Sequence, residues 1–516
     1  MSEPAVNYSS AYKLPPENSS PTRFLTISGH IPSTCAPHTL ERAIEYHAPD
    51  AIIATPPDEH HVPGALYDSS QPVLSCGRVQ NPDSYLVNKD TTIYTIPHSV
   101  ESLAVESVKP VDQASDPSTS FDASLSIYIT NQISLRINPY DRTTTLEGLQ
   151  SYLNQLPDSL NYEQGIHCST ELRSGYRTIK SIDGTRYQIV GIGQGDETSS
   201  AGCDTQTDTI GIFDVFENGA VTHSEMDPVN FGIRGLQGVG STRAKYLRQN
   251  GYTTVQQIAD ATLRDLQQLP KVGRSTAQNI KQAAQGQISN KPIITGENPL
   301  PDKDPIYIDI ETDGLAPSTV WLIGVLDGTA EHGSYLAFRE QQPEDFRHIE
   351  DFVFWVQANA ADRPIVTWNG YGFDFPVLRD QIQQHCYDQI ETWESLRKID
   401  LLWWAQHQDG GNAILPGPTN QLEQVAEELG WTPNTTGING QLVAKIYTAY
   451  RSAFNNQRDE QSTYSPDWSR LERYCEDDVR ALASIYEALK NSHQPIDNQQ
   501  QKRRSNSTQG ALSDFT

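Results

Sequence analysis

Hydrophobic and polar positions change their period several times along the chain, and each change marks a predicted element. Between residues 23 and about 225, the short apolar runs RFLTISG, DAIIATPP and TTIYTIP predict strands, and HTLERAIEYHA predicts a helix. Further on, RYQIVGIGQG and TIGIFDVFENG predict a pair of strands around a polar loop. Residues 23–228 are therefore expected to form an α/β region, whose role the pattern leaves open.

Helical spacing replaces this pattern next, and it predicts a small all-α module over residues 229–290. A Pro-bearing segment, 291–303, predicts a linker into a strand-led region at 304–490 that begins with Ile306. The ends at 1–22 and 491–516 are polar and without periodicity, which predicts disorder. The expected fold class is α/β, with a mixed sheet flanked by helices in the C-terminal region.

Acidic side chains recur at three places in region 304–490. The segment IYIDIETDGL alternates like a strand, so Asp309 and Glu311 fall on one face. In PIVTWNGYGFDFPVL, Asp374 follows a short apolar strand at the start of a predicted helix, and in WSRLERYCEDDVRALASIYEAL, Tyr474 and Asp478 share one helix face. Taken singly, these residues have ordinary alternatives: a solvated strand edge, an N-terminal helix cap and a core-edge aromatic. Taken together, the three motifs are expected to bring their carboxylates to one place in the fold.

Four converging carboxylates cannot all stay ionised without cations, because like charges at close range raise one another's pKa. Two Mg²⁺ or Mn²⁺ ions roughly 4 Å apart would resolve the repulsion. Such ions polarise a phosphodiester and generate hydroxide from bound water. The pattern therefore predicts metal-dependent phosphodiester hydrolysis.

The order Asp-x-Glu, Asn-x-x-x-Phe-Asp, Tyr-x-x-x-Asp resembles the DEDD superfamily of 3′-to-5′ exonucleases, tyrosine subclass. This resemblance implies an RNase-H-like fold for residues 304–490. It also implies that Asp309 bridges both ions, that Glu311 binds one ion near the terminal 3′-OH, and that Asp374 and Asp478 complete the two sites. Tyr474 would orient the attacking water.

A finer similarity links TWNGYGFDFPVL and NQLEQVAEELG to the YprB type of RNase-H-like nuclease. That family carries His-Asn where this chain has Tyr474-Cys475, so the general base and the polarity of cleavage stay open. Asn369 is expected to brace the site. Phe373 is expected to pack either on a terminal base of the nucleic acid or in the protein core.

Two helix–turn–helix units about 33 residues apart lie in the all-α module. The first unit, around Gly238-Val239-Gly240, resembles the helix-hairpin-helix motif of DNA repair proteins, and in the second Lys271 stands where the first glycine is expected. Helix N-termini behind such turns direct backbone N–H groups at a DNA phosphate. A packing or protein-contact module is the alternative. The expected DNA contacts are Gly238, Val239, Gly240, Arg243, Lys245, Arg248, Lys271, Val272, Gly273 and Arg274.

Charge distribution favours DNA binding by this module. The chain has 65 acidic and 38 basic residues, a formal charge of -27, which is typical of proteins from a salt-rich cytoplasm. Residues 234–291 nevertheless contain nine basic and two acidic residues, a local charge of +7. A basic patch in an acidic chain is the electrostatic pattern of a nucleic-acid-binding protein. The sequence shows neither an apolar run of membrane length nor a signal peptide, so a cytoplasmic protein is expected.

These features together predict a nuclease that processes DNA ends in repair or recombination, with RNA left open as a substrate. The rival predictions are a structure-selective endonuclease on the same fold and a DNA-binding scaffold with an inactive nuclease fold. The sequence has no G-x-x-x-x-G-K-[ST] phosphate loop, which argues against a built-in ATPase motor. Protein partners and oligomeric state cannot be predicted.

Overall fold

The computed structural model describes residues 12–76, 83–88, 91–96, 125–138, 140, 143–156, 160, 162–193, 209–360, 362–456 and 465–493. The chain divides into two compact units, each described by itself. The first comprises Met1–Gly232 and Thr436–Ala453, and the second comprises Ile233–Thr435 and Phe454–Thr516. Of the two ends predicted to be disordered, residues 1–11 and 494–516 lie outside the described residues.

The first unit is built mainly of strands. Its described strands are β1 (Thr22–Ser28), β2 (Ala51–Thr55), β3 (Val73–Ser75), β4 (Asp83–Asn88), β5 (Thr91–Ile96), β6 (Leu125–Thr130), β7 (Ser134–Asn138), β8 (Thr143–Glu147), β9 (Ile166–Arg173), β10 (Arg177–Ile182), β11 (Thr185–Gly193), β12 (Ile210–Val215) and β13 (Val221–Met226). One sheet has the order β13-β12-β1-β2-β3 and another has the order β10-β11-β9-β6-β5-β4, while β7 and β8 pair separately. The helices between them are α1 (Ile31–Thr34), α2 (Pro37–His47), α3 (Val62–Ala65) and α4 (Leu149–Leu153).

The two large sheets pack face to face in this unit. Phe24 and Ile53 of the five-stranded sheet share one buried cluster with Ile127 of the six-stranded sheet. On the outer face of the five-stranded sheet, Leu40 of α2 packs in a second cluster, and Tyr152 of α4 packs on the other sheet in a third. The result is four layers in the order helix, sheet, sheet, helix, and the α/β class predicted for this region is confirmed.

The prediction that RYQIVGIGQG and TIGIFDVFENG pair with each other was wrong. Both segments are strands, but β11 pairs with β9 and β10, whereas β12 pairs with β1 and β13. They lie in different sheets because each strand finds its partners far away in the chain. Local alternation of apolar residues carries no information about such distant pairing.

The second unit begins with four helices around one buried cluster. They are α5 (Ser241–Gln249), α6 (Val255–Asp260), α7 (Leu263–Gln267) and α8 (Arg274–Gln287). The elements that follow in this unit are β14 (Ile293–Ile294), β15 (Ile306–Thr312), β16 (Val320–Asp327), β17 (Ser334–Arg339), α9 (Arg347–Asn359), β18 (Ile365–Thr367), α10 (Asp374–His385), α11 (Ile390–Ser395), β19 (Lys398–Asp400), α12 (Leu401–Gln406), β20 (Ala413–Ile414), α13 (Leu422–Glu428) and α15 (Trp468–His493). Helix α14 (Gly440–Asn456) lies between α13 and α15 in the chain, but most of it belongs to the first unit, which includes Thr436–Ala453. No helix in the described part of the chain is long and apolar enough to cross a membrane.

A polar clamp fixes the segment between α8 and β15 to the body of the unit. Strand β14 pairs with β20, and the buried Asn412 next to β20 holds the same segment. Its backbone carbonyl accepts from the N–H of Thr295 at 2.9 Å, its Oδ1 accepts from Asn298 Nδ2 at 3.1 Å, and its Nδ2 donates to the Trp404 carbonyl at 3.0 Å. The segment predicted as a linker is therefore held along much of its length by backbone and side-chain hydrogen bonds.

A five-stranded sheet of order β17-β16-β15-β18-β19 forms the centre of the C-terminal region. Strand β15 is antiparallel to β16 and parallel to β18, and β18 is parallel to β19. Alternate residues of β15 face opposite layers: Ile308 packs with Phe352 of α9, whereas Tyr307 packs with Leu482 of α15. Asp309 and Glu311 have the same parity as Tyr307, so the sheet directs both of them toward α15.

Candidate active site and nucleic-acid interface

Strand β15 carries the first two acids on the face that α15 covers. Glu311 is 6% exposed, and Asp309 pairs across the sheet with Gly324 of β16. A Cβ atom at Gly324 would lie 2.4 Å from the Sγ of Cys475, so glycine is required for α15 to approach this closely. The close approach brings the last acidic motif of the chain against the first.

Helix α15 contributes three polar side chains to this place. Tyr474, Cys475 and Asp478 are all buried, and the Cys475 thiol donates to Asp309 Oδ2 at 3.7 Å. One oxygen of Asp309, one oxygen of Glu311 and the Cys475 sulfur lie within 4.8 Å of one another. The neighbouring Asp477 lies elsewhere and accepts hydrogen bonds from Asn434 and Thr435.

Asp374 reaches the same acids from the start of α10. It is the first residue of the helix and is 5% exposed, and the helix cap is Phe373, which makes no side-chain capping bond. Burial first, and then the charge of Asp309, raise the pKa of Asp374 well above its usual value. Asp374 is therefore electrostatically coupled to β15 and is not the capping residue.

Mutual repulsion raises the pKa values of the other carboxyls too. Burial is the largest cause in each case, and it raises the pKa of Asp309 to about 7. The pKa of Glu311 is raised further by the charges of Asp309, Glu423 and Asp374, and that of Asp478 by Glu423, Asp309 and Glu311. The four predicted acids thus form one coupled electrostatic system.

Glu423 is a fifth acid that sequence reasoning missed. It lies in the first turn of α13, its carboxylate Oε1 accepts from the Tyr474 hydroxyl at 3.2 Å, and its pKa is raised by burial. An acid in a first helical turn is usual, because it complements the helix dipole, so its position gave no separate signal. Only the packing of α13 against α15 shows that Glu423 belongs to the acidic cluster, which we define as Asp309, Glu311, Asp374, Glu423 and Asp478.

The donor set of the acidic cluster fits a hard divalent cation. Carboxylate oxygens are the ligands that Mg²⁺ and Mn²⁺ prefer, and the coupled charges are those that a cation would neutralise. Cys475 also lies within reach, but burial and the nearby acids raise the pKa of its thiol well above its usual value. We therefore assign Cys475 as a neutral hydrogen-bond donor and not as a thiolate ligand.

The turn before α10 contains the two other residues predicted near the acids. Asn369 is exposed with φ of +58°, and its carbonyl accepts from the Gly372 N–H at 3.0 Å. Phe373 is partly buried and packs on the core cluster of α9 and α10. Of the two roles expected for Phe373, the core contact is present in the structure, and the contact with a terminal base stays a prediction.

Two tight turns in the all-α part of the second unit have the same backbone form. The N–H groups of Val239 and Val272 each donate to the carbonyl three residues earlier, at 3.0 and 3.2 Å. Gly238 has φ of +84°, and Lys271 at the equivalent position has φ of +62°. The second turn keeps the geometry of the first although a left-handed lysine costs about 1–2 kcal/mol. A lysine at this position is therefore compatible with the hairpin turn.

The helices behind these turns differ from their neighbours at the N-terminus. Gly240 caps α5 and Gly273 caps α8 without any side-chain hydrogen bond, whereas Thr254 and Thr262 cap α6 and α7 with their hydroxyls. Both glycines are exposed, and a Cβ at either would meet nothing within 4 Å. The first N–H groups of α5 and α8 are thus the ones left open to an external acceptor.

Basic side chains lie on both hairpins, with Lys271 and Arg274 beside the N-terminus of α8 and with Lys245 and Arg248 further along α5. Lys245, Arg248, Lys271 and Arg274 are exposed. Arg243 is partly buried, and its guanidinium donates to the Gly238 carbonyl at 2.7 Å and to the Lys271 carbonyl at 3.4 Å. Arg243 therefore braces one turn against the other, while the exposed cations present their charges to solvent.

A pH dependence of stability follows from the raised pKa values. A carboxyl whose pKa in the folded state is raised above its ordinary value of about 4 keeps its proton up to a higher pH in the folded state than in the unfolded state. Without metal, the contribution of Asp309 to stability should therefore be fully present below the ordinary carboxyl pKa of about 4 and be lost as pH rises to its own pKa of about 7. In calorimetry with a chelator we expect this fall, and we expect Mn²⁺ to reverse it at high pH only. An Asp309→Asn variant should show a shallower fall, and an unchanged slope would contradict the coupling.

Comparison with known proteins agrees with this geometry. Residues 306–490 match the family model described as RNase_H superfamily, and residues 233–285 match the model described as SAM-like helix-hairpin-helix tandem. The chain is also similar to the DNA repair and recombination protein RadA of Methanoculleus marisnigri, with 28% identity over 143 residues, 26% of this chain and 44% of that protein. It thus spans less than half the length of that relative. The chain contains an RNase H superfamily domain and, before it, a tandem helix-hairpin-helix module.

Proposed function

We propose that this protein is a divalent-metal-dependent nuclease that hydrolyses DNA from its ends in the 3′-to-5′ direction during repair or recombination. The observation that carries the proposal is the acidic cluster, in which five buried or half-buried carboxylates with raised pKa values lie on four elements of the RNase H domain. The resemblance of the motif order to DEDD exonucleases supports the polarity. The similarity to RadA, a DNA repair and recombination protein, supports the setting in repair and recombination.

Asp309, Glu311, Asp374 and Asp478 would hold two Mg²⁺ or Mn²⁺ ions. When bound, such ions polarise the scissile phosphate and lower the pKa of a bound water. The protein's own contribution is to fix the carboxylates in a largely buried place, where their charges act on a bound ion with little screening by water. Cys475 keeps one Asp309 oxygen in position through its thiol hydrogen bond.

Tyr474 would orient the attacking water through its oxygen. Its hydroxyl proton already points at Glu423, so the lone pairs of the Tyr474 oxygen are left to accept a hydrogen bond from water. Burial and the surrounding acids raise the pKa of Tyr474 well above its usual value, which keeps the hydroxyl protonated. We therefore assign orientation of the water, and not proton abstraction, to Tyr474, with Glu423 as the residue that positions it.

The helix-hairpin-helix module would hold the DNA that the RNase H domain cuts. Its two open helix N-termini bind phosphates through backbone N–H groups, which carry no preference for base sequence. The clamp around Asn412 supports delivery to one fixed place, since it ties the segment after α8 to β20. Binding by the module raises the local concentration of DNA at the acidic cluster.

The first prediction concerns cleavage itself. Asp309→Asn should abolish hydrolysis of 5′-labelled DNA in Mg²⁺ or Mn²⁺, because the variant loses a charge that would hold both ions, while DNA binding persists. Asp380→Asn on the exposed side of α10 is the matched control and should cut normally. Products that shorten one nucleotide at a time from the 3′ end indicate the exonuclease, whereas internal products indicate the rival endonuclease. Cleavage at the normal rate by Asp309→Asn would exclude the acidic cluster as the active site.

The second prediction separates orientation of water from packing. Tyr474→Phe should lower the single-turnover rate about 10- to 10⁴-fold, the range of a positioned acid–base group, without weakening Mn²⁺ binding. Glu423→Ala should also lower the rate, and the double variant should lose little more, because both residues act through one hydrogen bond. The control is Tyr486→Phe on the same helix, which loses a buried hydroxyl bond to the Pro301 carbonyl. Equal rates for wild type and Tyr474→Phe would remove Tyr474 from the mechanism.

The third prediction concerns the open helix N-termini. Gly240→Ala and Gly273→Ala should leave thermal stability intact, because a methyl group meets nothing at either position, yet each should weaken DNA binding about tenfold, or about 1.4 kcal/mol. Gly64→Ala, whose Cβ also meets nothing, is the control and should bind DNA normally. The measurement is fluorescence anisotropy with a labelled duplex. Unchanged affinity in both variants would assign the hairpins to packing or to protein contacts.

A further inference from the structure

Two basic side chains of the first unit flank one aromatic ring. The Arg177 guanidinium of β10 lies 5.9 Å from the centre of the Tyr12 ring, and the Lys445 ammonium of α14 lies 5.6 Å from it. Lys445 also donates to the Gly175 carbonyl at 3.2 Å. Asn439, just before α14, donates to the His223 carbonyl at 3.0 Å and anchors this stretch of chain on the same unit. The charge of Arg177 also lowers the pKa of Lys445, so the two cations lie within electrostatic reach of each other.

Neither cation has an acidic partner among the residues that the structure describes. Burial lowers the pKa of Arg177 to about 10, and burial together with the Arg177 charge lowers that of Lys445 to about 8. No carboxylate contributes to either shift. The Arg177 Nε is buried and has no hydrogen-bond partner. In a chain with 65 acidic residues, two adjacent partly buried cations without a carboxylate are unexpected.

The neighbouring histidine does not relieve this repulsion. Burial, Arg177 and Lys445 lower the pKa of His223 to about 4, so it is neutral at physiological pH. Its Nε2 lies 3.7 Å from Glu225, an acid that is itself half exposed. A buried charged donor without an acceptor is costly, and native structures normally satisfy such a donor with a protein acceptor, an ordered water or a bound ion.

We propose that Arg177 and Lys445 bind a tetrahedral oxyanion of the phosphate class. A guanidinium can donate from two of its N–H groups to two oxygens of one phosphate, and Lys445 supplies a point charge to a third. Both side chains retain some exposure, so the anion can enter from solvent. This site is separate from the acidic cluster, and it gives the four-layered first unit a ligand: free phosphate or the phosphate at a nucleic-acid end.

The test uses the full-length protein and the low pKa of Lys445. An amine with this pKa reacts readily with an acylating reagent at mildly basic pH, and a bound anion raises the pKa and protects the amine. We expect inorganic phosphate to lower acylation of Lys445 several-fold, by mass spectrometry, compared with chloride at the same ionic strength. Lys303 is exposed beside Asp362 and serves as the internal control, with unchanged acylation.

Variants of the two cations test where the phosphate binds, and a second ligand tests whether it is free phosphate or the end of a nucleic acid. Phosphate should raise the melting temperature of wild type and of Arg136→Met, which loses an exposed cation, but raise that of Arg177→Met and Lys445→Met much less. Stronger protection by a 5′-phosphorylated dinucleotide than by inorganic phosphate would identify a nucleic-acid end as the source. Equal or weaker protection would identify free phosphate. If neither compound protects Lys445 in the wild-type protein, the site does not bind phosphate and the proposal is wrong, whether or not the variants fold.

Discussion

Repulsion among buried carboxylates is the constraint on which the second unit depends. Strand β15 and helices α10, α13 and α15 each bring at least one acid to the acidic cluster, where burial removes the water that would screen their charges. Two neutral donors lie among them, since Cys475 hydrogen-bonds to Asp309 and Tyr474 to Glu423. These bonds ease the repulsion only in part. A bound divalent cation would remove it, so the same arrangement that costs stability without metal is the one suited to hydrolysis.

The helix-hairpin-helix module also contains polar groups without a partner in the protein, but these are backbone N–H donors at the surface and not carboxylates in the interior. Helices α6 and α7 begin with threonine caps whose hydroxyls accept hydrogen bonds from the first N–H groups of each helix. Helices α5 and α8 begin after exposed glycines, which have no side chain to accept such a bond. The open donors point to solvent, where a phosphate can reach them at no cost in packing. Helix α8 also contacts the RNase H domain, since a Cβ at Gly286 would meet Ile414 of β20 at 2.3 Å. If the hairpins bind DNA as proposed, this contact would hold the DNA at a defined place relative to the RNase H domain.

Much of this could be read from the sequence because the informative patterns are local. Period-2 alternation placed Asp309 and Glu311 on one face, and the four-residue spacing placed Tyr474 and Asp478 on one side of α15. Sequence reasoning failed where partners are distant: β11 and β12 joined different sheets, and residues 436–453 packed with the first unit. Glu423 was missed because an acid in a first helical turn has an ordinary local explanation. Lys445 comes near Arg177 only because residues 436–453 pack on the first unit, and no local sequence pattern predicts this long-range contact.

The most direct test of the account is anomalous diffraction at the manganese edge from crystals grown with Mn²⁺. The account predicts peaks between the carboxylates of Asp309, Glu311, Asp374 and Asp478, with Cys475 outside the coordination sphere. Manganese bound elsewhere, with these four carboxylates paired only to one another or to protons, would contradict the claim that their repulsion is relieved by divalent cations.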